Sequence, residues 1–257
     1  MLQKYYFYLK HLCMLENVKT EDILFLDIET VPQSQDYEML SADIQLLWNK
    51  KSAFFCKTDE TPADVYQRAG IYAEFGKIVC ISVGMLFPDK NNSNWNIRLK
   101  SFYHDDESIL LKEFVELLQT IALKKEIIFC AHNGKEFDYP YMARRILING
   151  LKLPKTLDMA GKKPWEVYHL DTLELWRFGD YKHYTSLSLL TSVFGIPTPK
   201  DDIDGSMVAD VYYKEGNLKR IVKYCEKDVL AVAQLLLRYK SEPGITEDGV
   251  FSATLFV

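Results

Sequence analysis

The stretch ILFLDIETVPQ, residues 23–33, constrains the fold more than any other part of the chain. Ile23, Leu24, Phe25 and Leu26 form the apolar run of a buried strand, yet acids follow at Asp27 and Glu29. A carboxylate withdrawn from water is costly unless something pairs with it. Residues two apart on a strand share a face, so Asp27 and Glu29 point one way while Leu26 and Ile28 point the other. Two carboxylates on one face suit a hard divalent cation such as Mg²⁺. A solvent-exposed strand end is the competing reading. With 36 acids in 257 residues, about five acid-x-acid pairs arise by chance at this ordinary composition. The surrounding apolar strand sets this pair apart.

Further strands are expected at KIVCISVGMLF (77–87), NIRLKSFYH (96–104), EIIFCAHN (126–133) and VYHLDT (167–172). The Asp-Lys-Asn-Asn-Ser-Asn cluster at 89–94 makes the second and third a hairpin. DDESILLKEFVELLQTIALKK reads as a helix with acids at its start and lysines at its end. YPYMARRILING is a helix with Pro140 in its first turn and Gly150 as its stop. TSLSLLTSVFG, GSMVADVYYKEG and the long NLKRIVKYCEKDVLAVAQLLLRYK are helical as well. The order predicts an α/β fold whose mixed sheet has antiparallel first strands and parallel later ones, flanked by helices. Residues 33–76 exceed a plain loop. ADIQLLWNKK and PADVYQRAGIYAEFG within them look helical, so a helical insertion after the first strand is expected. One domain then covers 23–240, after an N-terminal extension at 1–22 and before a tail at 241–257 that gives no clear element. Met14 offers a second start, which places residues 1–13 outside the fold.

Composition narrows the function classes. A net charge of −5 and a pI of about 5.6 exclude a protein that coats nucleic acid through bulk positive charge; such binding would need a local groove. No apolar run approaches the ~18 residues of a membrane span. Lys10 and His11 interrupt the N-terminal apolar stretch, which is unlike a signal peptide. Cys13, Cys56, Cys80, Cys130 and Cys225 are scattered with no C-x-x-C pair, as reduced core thiols of a cytoplasmic protein would be.

Two more acids stand out. Asp138, in HNGKEFDYP, follows a strand and precedes a helix, where read alone it is a helix N-cap. Tyr224 and Asp228, in YCEKD, are four apart on a helix and share a face beside an apolar stripe. A surface acid flanked by Lys227 is the alternative for Asp228.

A strand D-x-E, an N-x-x-x-F-D after a middle strand and a Y-x-x-x-D on a late helix, in that order, resemble the three exonuclease motifs of the DEDD superfamily. The tyrosine marks the DEDDy branch. HNGKEFDYPYMARR resembles the second motif of family B DNA polymerase proofreading domains, and DDIDGSMVADVY resembles stand-alone family-B-like 3′–5′ exonucleases. The likeness runs from about residue 23 to 240. It implies an RNase H-like fold in which Asp27, Glu29, Asp138 and Asp228 hold two divalent ions, Mg²⁺ or Mn²⁺, and Tyr224 orients the attacking water. It further implies a single-stranded substrate attacked from its 3′ end, with DNA favoured over RNA. Asn133 and Phe137 are candidates for contact with the terminal nucleotide, and Ile28 and Thr30 for its sugar and phosphate. Asp171 is read as a supporting acid or a helix N-cap, and His132 as packed or hydrogen-bonded. Arg144, Arg145, Lys182 and His183 are candidates for holding the backbone. An RNA-trimming enzyme of the same fold and an inactive nucleic-acid-binding module are the alternatives. Among these, the inactive module fits less well with a complete set of acids.

Overall fold

The computed structural model describes residues 14–90, 92–182, 184–197 and 203–256. The expectation for residues 1–13 lies outside them. Six strands form one sheet in the order β5-β4-β1-β2-β3-β6. They are β1 (Ile23–Pro32), β2 (Gly76–Pro88), β3 (Trp95–Tyr103), β4 (Ile128–Ala131), β5 (Leu170–Asp171) and β6 (Ile245–Ser252). β1 and β2 pair antiparallel, as do β2 and β3, while β4 runs parallel to β1 and β5 parallel to β4. This is the mixed sheet the sequence predicts. The helices are α1 (Met14–Asn17), α2 (Ala42–Ser52), α3 (Glu107–Ala122), α4 (Asp138–Ile148), α5 (Thr172–Arg177), α6 (Leu187–Val193), α7 (Val208–Tyr213) and α8 (Leu218–Tyr239).

β1 is apolar on both faces because both are covered. Leu24, Leu26 and Ile28 enter a core with Leu110 and Phe114 of α3 and Met142 and Ile146 of α4. Ile23 and Phe25 enter a second core with Val229, Val232 and Leu236 of α8. A register shift against β2 falls between Glu29 and Thr30, and Val31 then joins a third core with Ile221, Val222 and Cys225 of α8.

Two segments are structured where no element, or only an extension, is expected from the sequence. β6 pairs parallel with β3 at the sheet edge, although Gly249 is its one buried residue, so it lacks the alternation that announces a strand. Leu15 and Val18 pack against the second core, and Lys240 Nζ donates to the Val18 carbonyl at 2.8 Å.

The insertion is helical in its first half only. α2 is capped by Ser41, whose Oγ accepts from the Ile44 amide. The stretch expected to continue as helix becomes a 3₁₀ turn, Tyr66–Ile71, pressed against the end of β1. At Gly76, where the insertion rejoins the sheet, a Cβ would stand 2.3 Å from the Tyr141 hydroxyl and 2.8 Å from the Gly70 carbonyl oxygen. The insertion has its own core of Leu40, Trp48, Val65, Tyr66, Ala69 and Phe75.

Arg145 does not hold a nucleic-acid backbone. It is buried against Glu107, with Nε donating to Oε1 at 2.9 Å, and its Nη1 donates to the Ala73 carbonyl at 2.8 Å. Glu107 also accepts from the Ile78 amide at 2.7 Å and from Asn149 Nδ2 at 2.9 Å. The helical spacing sets Arg144 and Arg145 side by side, and packing turns Arg144 outward and Arg145 inward. Lys182 is exposed, and His183 lies outside the described residues.

Candidate active site

Three distant segments bring the acids together. β1 carries Asp27 and Glu29 on the side that α8 covers. α8 brings Tyr224 and Asp228, one turn apart on one face, and the Tyr224 hydroxyl hydrogen-bonds the Asp228 carboxylate. β4 stops pairing with β1 at Phe25. Beyond that point the Asp138 carboxylate accepts from the Ile28 amide and from its own. Asp138 is therefore not the N-cap of α4, a position that Phe137 holds, but its first residue.

A cleft of about 610 Å³ opens over this meeting point. Asp27, Ile28, Glu29, Thr30, Asn133, Phe137, Asp138, Tyr224 and Asp228 all line it. Thr30 reaches the Tyr141 hydroxyl, which donates to the Gly70 carbonyl at 2.8 Å. Phe137 packs its ring 5.3 Å from that of Tyr141 and remains partly exposed at the cleft. Asn133 takes a left-handed backbone, φ 63°. Its amide and that of Lys135 donate to the two Asp171 oxygens at 2.9 and 3.1 Å. Asp171 also caps α5 through the Leu173 and Glu174 amides. Asp171 thus takes the N-cap role and also holds the turn that carries Asn133. His132 also lines the cleft, bonded through Nδ1 to Thr172 and through Nε2 to the Thr185 carbonyl, each at 2.9 Å. Burial lowers its pKa, so the ring is neutral near pH 7.

The electrostatics of the acids are one-sided. Burial pushes the Asp27 carboxyl well above the usual range, and Asp228 and Asp138 add to it. Burial does the same to Glu29, followed by Asp27 and Asp228. Asp138 is pushed up to about 7, chiefly by burial, with Asp171 and Asp228 adding and the two amides opposing. Among the described residues, no lysine or arginine pairs with Asp27, Glu29 or Asp138. The Tyr224 hydroxyl is held protonated, first by burial and then by Asp228, Glu29 and Asp27. It can donate a hydrogen bond but is no base.

The structure adds residues that the motifs do not contain. Cys225 Sγ lies 3.3 Å from Asp27 Oδ2, and ligand atoms of Asp27, Glu29 and Cys225 fall within 4.8 Å of one another. In the sequence this thiol is one more member of an apolar stripe. The insertion contributes Gln67, Arg68, Gly70 and Ile71 to one wall, and Tyr184 stands in the wall with His132. Gly205 and Ser206 also face the cleft, in a turn where Asp204 Oδ1 accepts from the Ser206 amide at 2.8 Å. That gives Asp204 and Gly205 a place, which the sequence alone did not.

The chain is similar to parts of known proteins. A DNA polymerase of Pyrococcus glycovorans is 23% identical over 145 residues, which cover 50% of this chain and 18% of the polymerase. The chain thus spans less than a fifth of that relative's length. The family B DNA polymerase of the hyperthermophilic archaeon Pyrobaculum calidifontis superposes with a TM-score of 0.46 at 16% identity, covering 84% of this chain and 24% of the other. Residues 71–253 match the model of a family described as predicted 3′–5′ exonucleases related to the exonuclease domain of PolB. The match takes in Asp138, Tyr224 and Asp228 and begins after Asp27 and Glu29. It spans well over half of the chain, and this protein belongs to that family.

Proposed function

We propose that this protein is a metal-dependent 3′–5′ exonuclease that hydrolyses phosphodiester bonds at the 3′ end of single-stranded nucleic acid, DNA in preference to RNA. One observation carries the reading: four acids and a protonated tyrosine from three distant segments converge in one cleft, and three of those acids have no basic partner among the described residues. The donor set fits divalent ions, since buried carboxylates pushed toward protonation are what a bound cation would return to their charged form. Mg²⁺ or Mn²⁺ held by Asp27, Glu29, Asp138 and Asp228 would activate a water and stabilise the leaving 3′ oxygen.

The chain's own groups supply the rest. Tyr224 keeps its proton and donates it in a hydrogen bond, which suits it to orient a water rather than deprotonate one. Phe137 and Asn133 offer a ring and an amide side chain to the terminal nucleotide, and Asp171 fixes the turn that presents Asn133. Ile28 and Thr30 line the floor beside the acids. The four described cysteines are free, which fits a cytoplasmic location, and no described helix is long and apolar enough to cross a membrane.

The test is a gel assay on 5′-labelled DNA and RNA single strands of one sequence, with Mg²⁺ or Mn²⁺. Wild type should give a ladder on DNA, Asp27→Ala none, and Tyr224→Phe a ladder slowed about 10- to 100-fold, the scale of a lost supporting hydrogen bond beside a metal. A ladder on RNA alone would make this an exoribonuclease. Binding without a ladder on either strand would make it a binding module.

A further inference from the structure

Among the described residues that line the cleft, Arg68 is the one lysine or arginine, and it comes from the insertion. It precedes the residues that match the exonuclease family. Its guanidinium carbon lies 4.3 Å from the centre of the Phe55 ring. Phe55 stacks on Tyr72 at 6.1 Å and 15°, and Lys51 Nζ sits 4.4 Å over Tyr72. Both rings abut Trp48, which is fully buried and donates from Nε1 to the Pro62 carbonyl at 2.7 Å. The insertion core thus fixes the ring on which the guanidinium lies.

Stacking occupies the flat face of a guanidinium and leaves its N–H edge available, in a fork that matches phosphate. Arg68 has no carboxylate partner among the described residues, whereas Arg145, Arg177 and Arg220 each have one. It is exposed and lines the cleft, yet it pairs with none of the acids there. An arginine beside a carboxylate cluster, held on an aromatic ring and unpaired with the acids, is placed for an anion that enters from outside. A nucleic-acid strand carries one such anion per nucleotide.

We propose that Arg68 binds a backbone phosphate of the substrate strand other than the one under attack, and so makes the enzyme prefer a polynucleotide to a dinucleotide. The proposal rests on the exonuclease reading for the identity of the strand. Arg68 is a positioning residue here, acting on grip rather than on the chemical step.

Two measurements on the full chain decide it. The first is steady-state hydrolysis of 5′-labelled oligothymidylate and of a thymidine dinucleotide by wild type, Arg68→Ala and Arg68→Lys. Arg68→Ala should raise KM for the long strand about 10-fold to 100-fold, the value of one charge-assisted hydrogen bond, with kcat changed less than about 2-fold. Its dinucleotide kinetics should match wild type. The salt slope of log KM should flatten by about 0.7 to 1, one phosphate contact, and Arg68→Lys should restore the slope with only part of the affinity. The second is fluorescence anisotropy of labelled oligothymidylate in Ca²⁺, which needs no turnover. If wild type hydrolyses nothing, the exonuclease reading fails, and the anisotropy still judges Arg68. Weaker, less salt-sensitive binding by Arg68→Ala supports it. Unchanged affinity and slope in Arg68→Ala, or no measurable binding by wild type, overturns it. As an exposed residue, Arg68 should leave the melting temperature of the alanine variant near wild type.

Discussion

Glu107, buried, and Asp27, partly buried at the cleft, are both carboxylates drawn into this fold, and the chain treats them in opposite ways. Glu107 meets a bidentate arginine, a backbone amide and an asparagine. The Arg145 that neutralises it also bonds the Ala73 carbonyl, so one ion pair ties α3, α4 and the end of the insertion together. Asp27 meets a thiol, and the charges that act on it are other acids. Where the fold needs a buried carboxylate for its own integrity, it provides the counter-charge. At the cleft it withholds one from Asp27, Glu29 and Asp138. The difference separates an acid that organises the structure from acids that, in the reading proposed above, a cation would neutralise, and burial alone would not have told Glu107 from Glu29 or Asp138.

Breaking the paired site should have the largest effect. Arg145→Met leaves Glu107 buried and charged, and should lower the unfolding free energy by about 3–5 kcal/mol in urea melts. A loss below about 1 kcal/mol would mean that water already serves Glu107, and the contrast would collapse. Asp27→Asn should do the reverse at the cleft. With one uncompensated charge gone, the metal-free protein should gain about 1 kcal/mol while hydrolysis is abolished. A destabilised Asp27→Asn would instead place Asp27 with Glu107 as a structural acid.

The smallest effect is in the pH dependence. The folded state raises Asp138 from an ordinary 3.8 to about 7, so folding favours its protonated form. The stability this contributes is complete below the ordinary value and is lost as pH climbs through about 7. Asp27 and Glu29 shift the same way. The metal-free melting temperature should therefore fall between about pH 5 and about pH 8, and millimolar Mg²⁺ should flatten that fall. A metal-free melting temperature that rises over the same window would contradict the one-sided electrostatics.

Much of the cleft was legible because its acids obey local periodicities. The two-residue spacing of Asp27 and Glu29 survives as a shared strand face, and the four-residue spacing of Tyr224 and Asp228 as a shared helix face. What was illegible depends on packing between segments. Arg68, Tyr184 and Gly205 enter the cleft through long-range contacts that leave no periodic trace. Cys225 looks like any other apolar-stripe residue until β1 is laid against it. β6 buries only Gly249 and offers the sheet its backbone rather than a pattern. Arg145 was indistinguishable from Arg144 until α3 supplied Glu107.

The acids of the cleft come from positions 27, 29, 138 and 228, so the site closes only when nearly the whole chain is in place. Contacts of such sequence separation carry the greatest loop-closure cost and tend to form late in folding. The mutual repulsion of the acids then falls on the native side of the folding barrier. Divalent ions should accordingly slow unfolding while leaving the refolding rate almost untouched, and the cleft would act as a latch whose bolt is the cation.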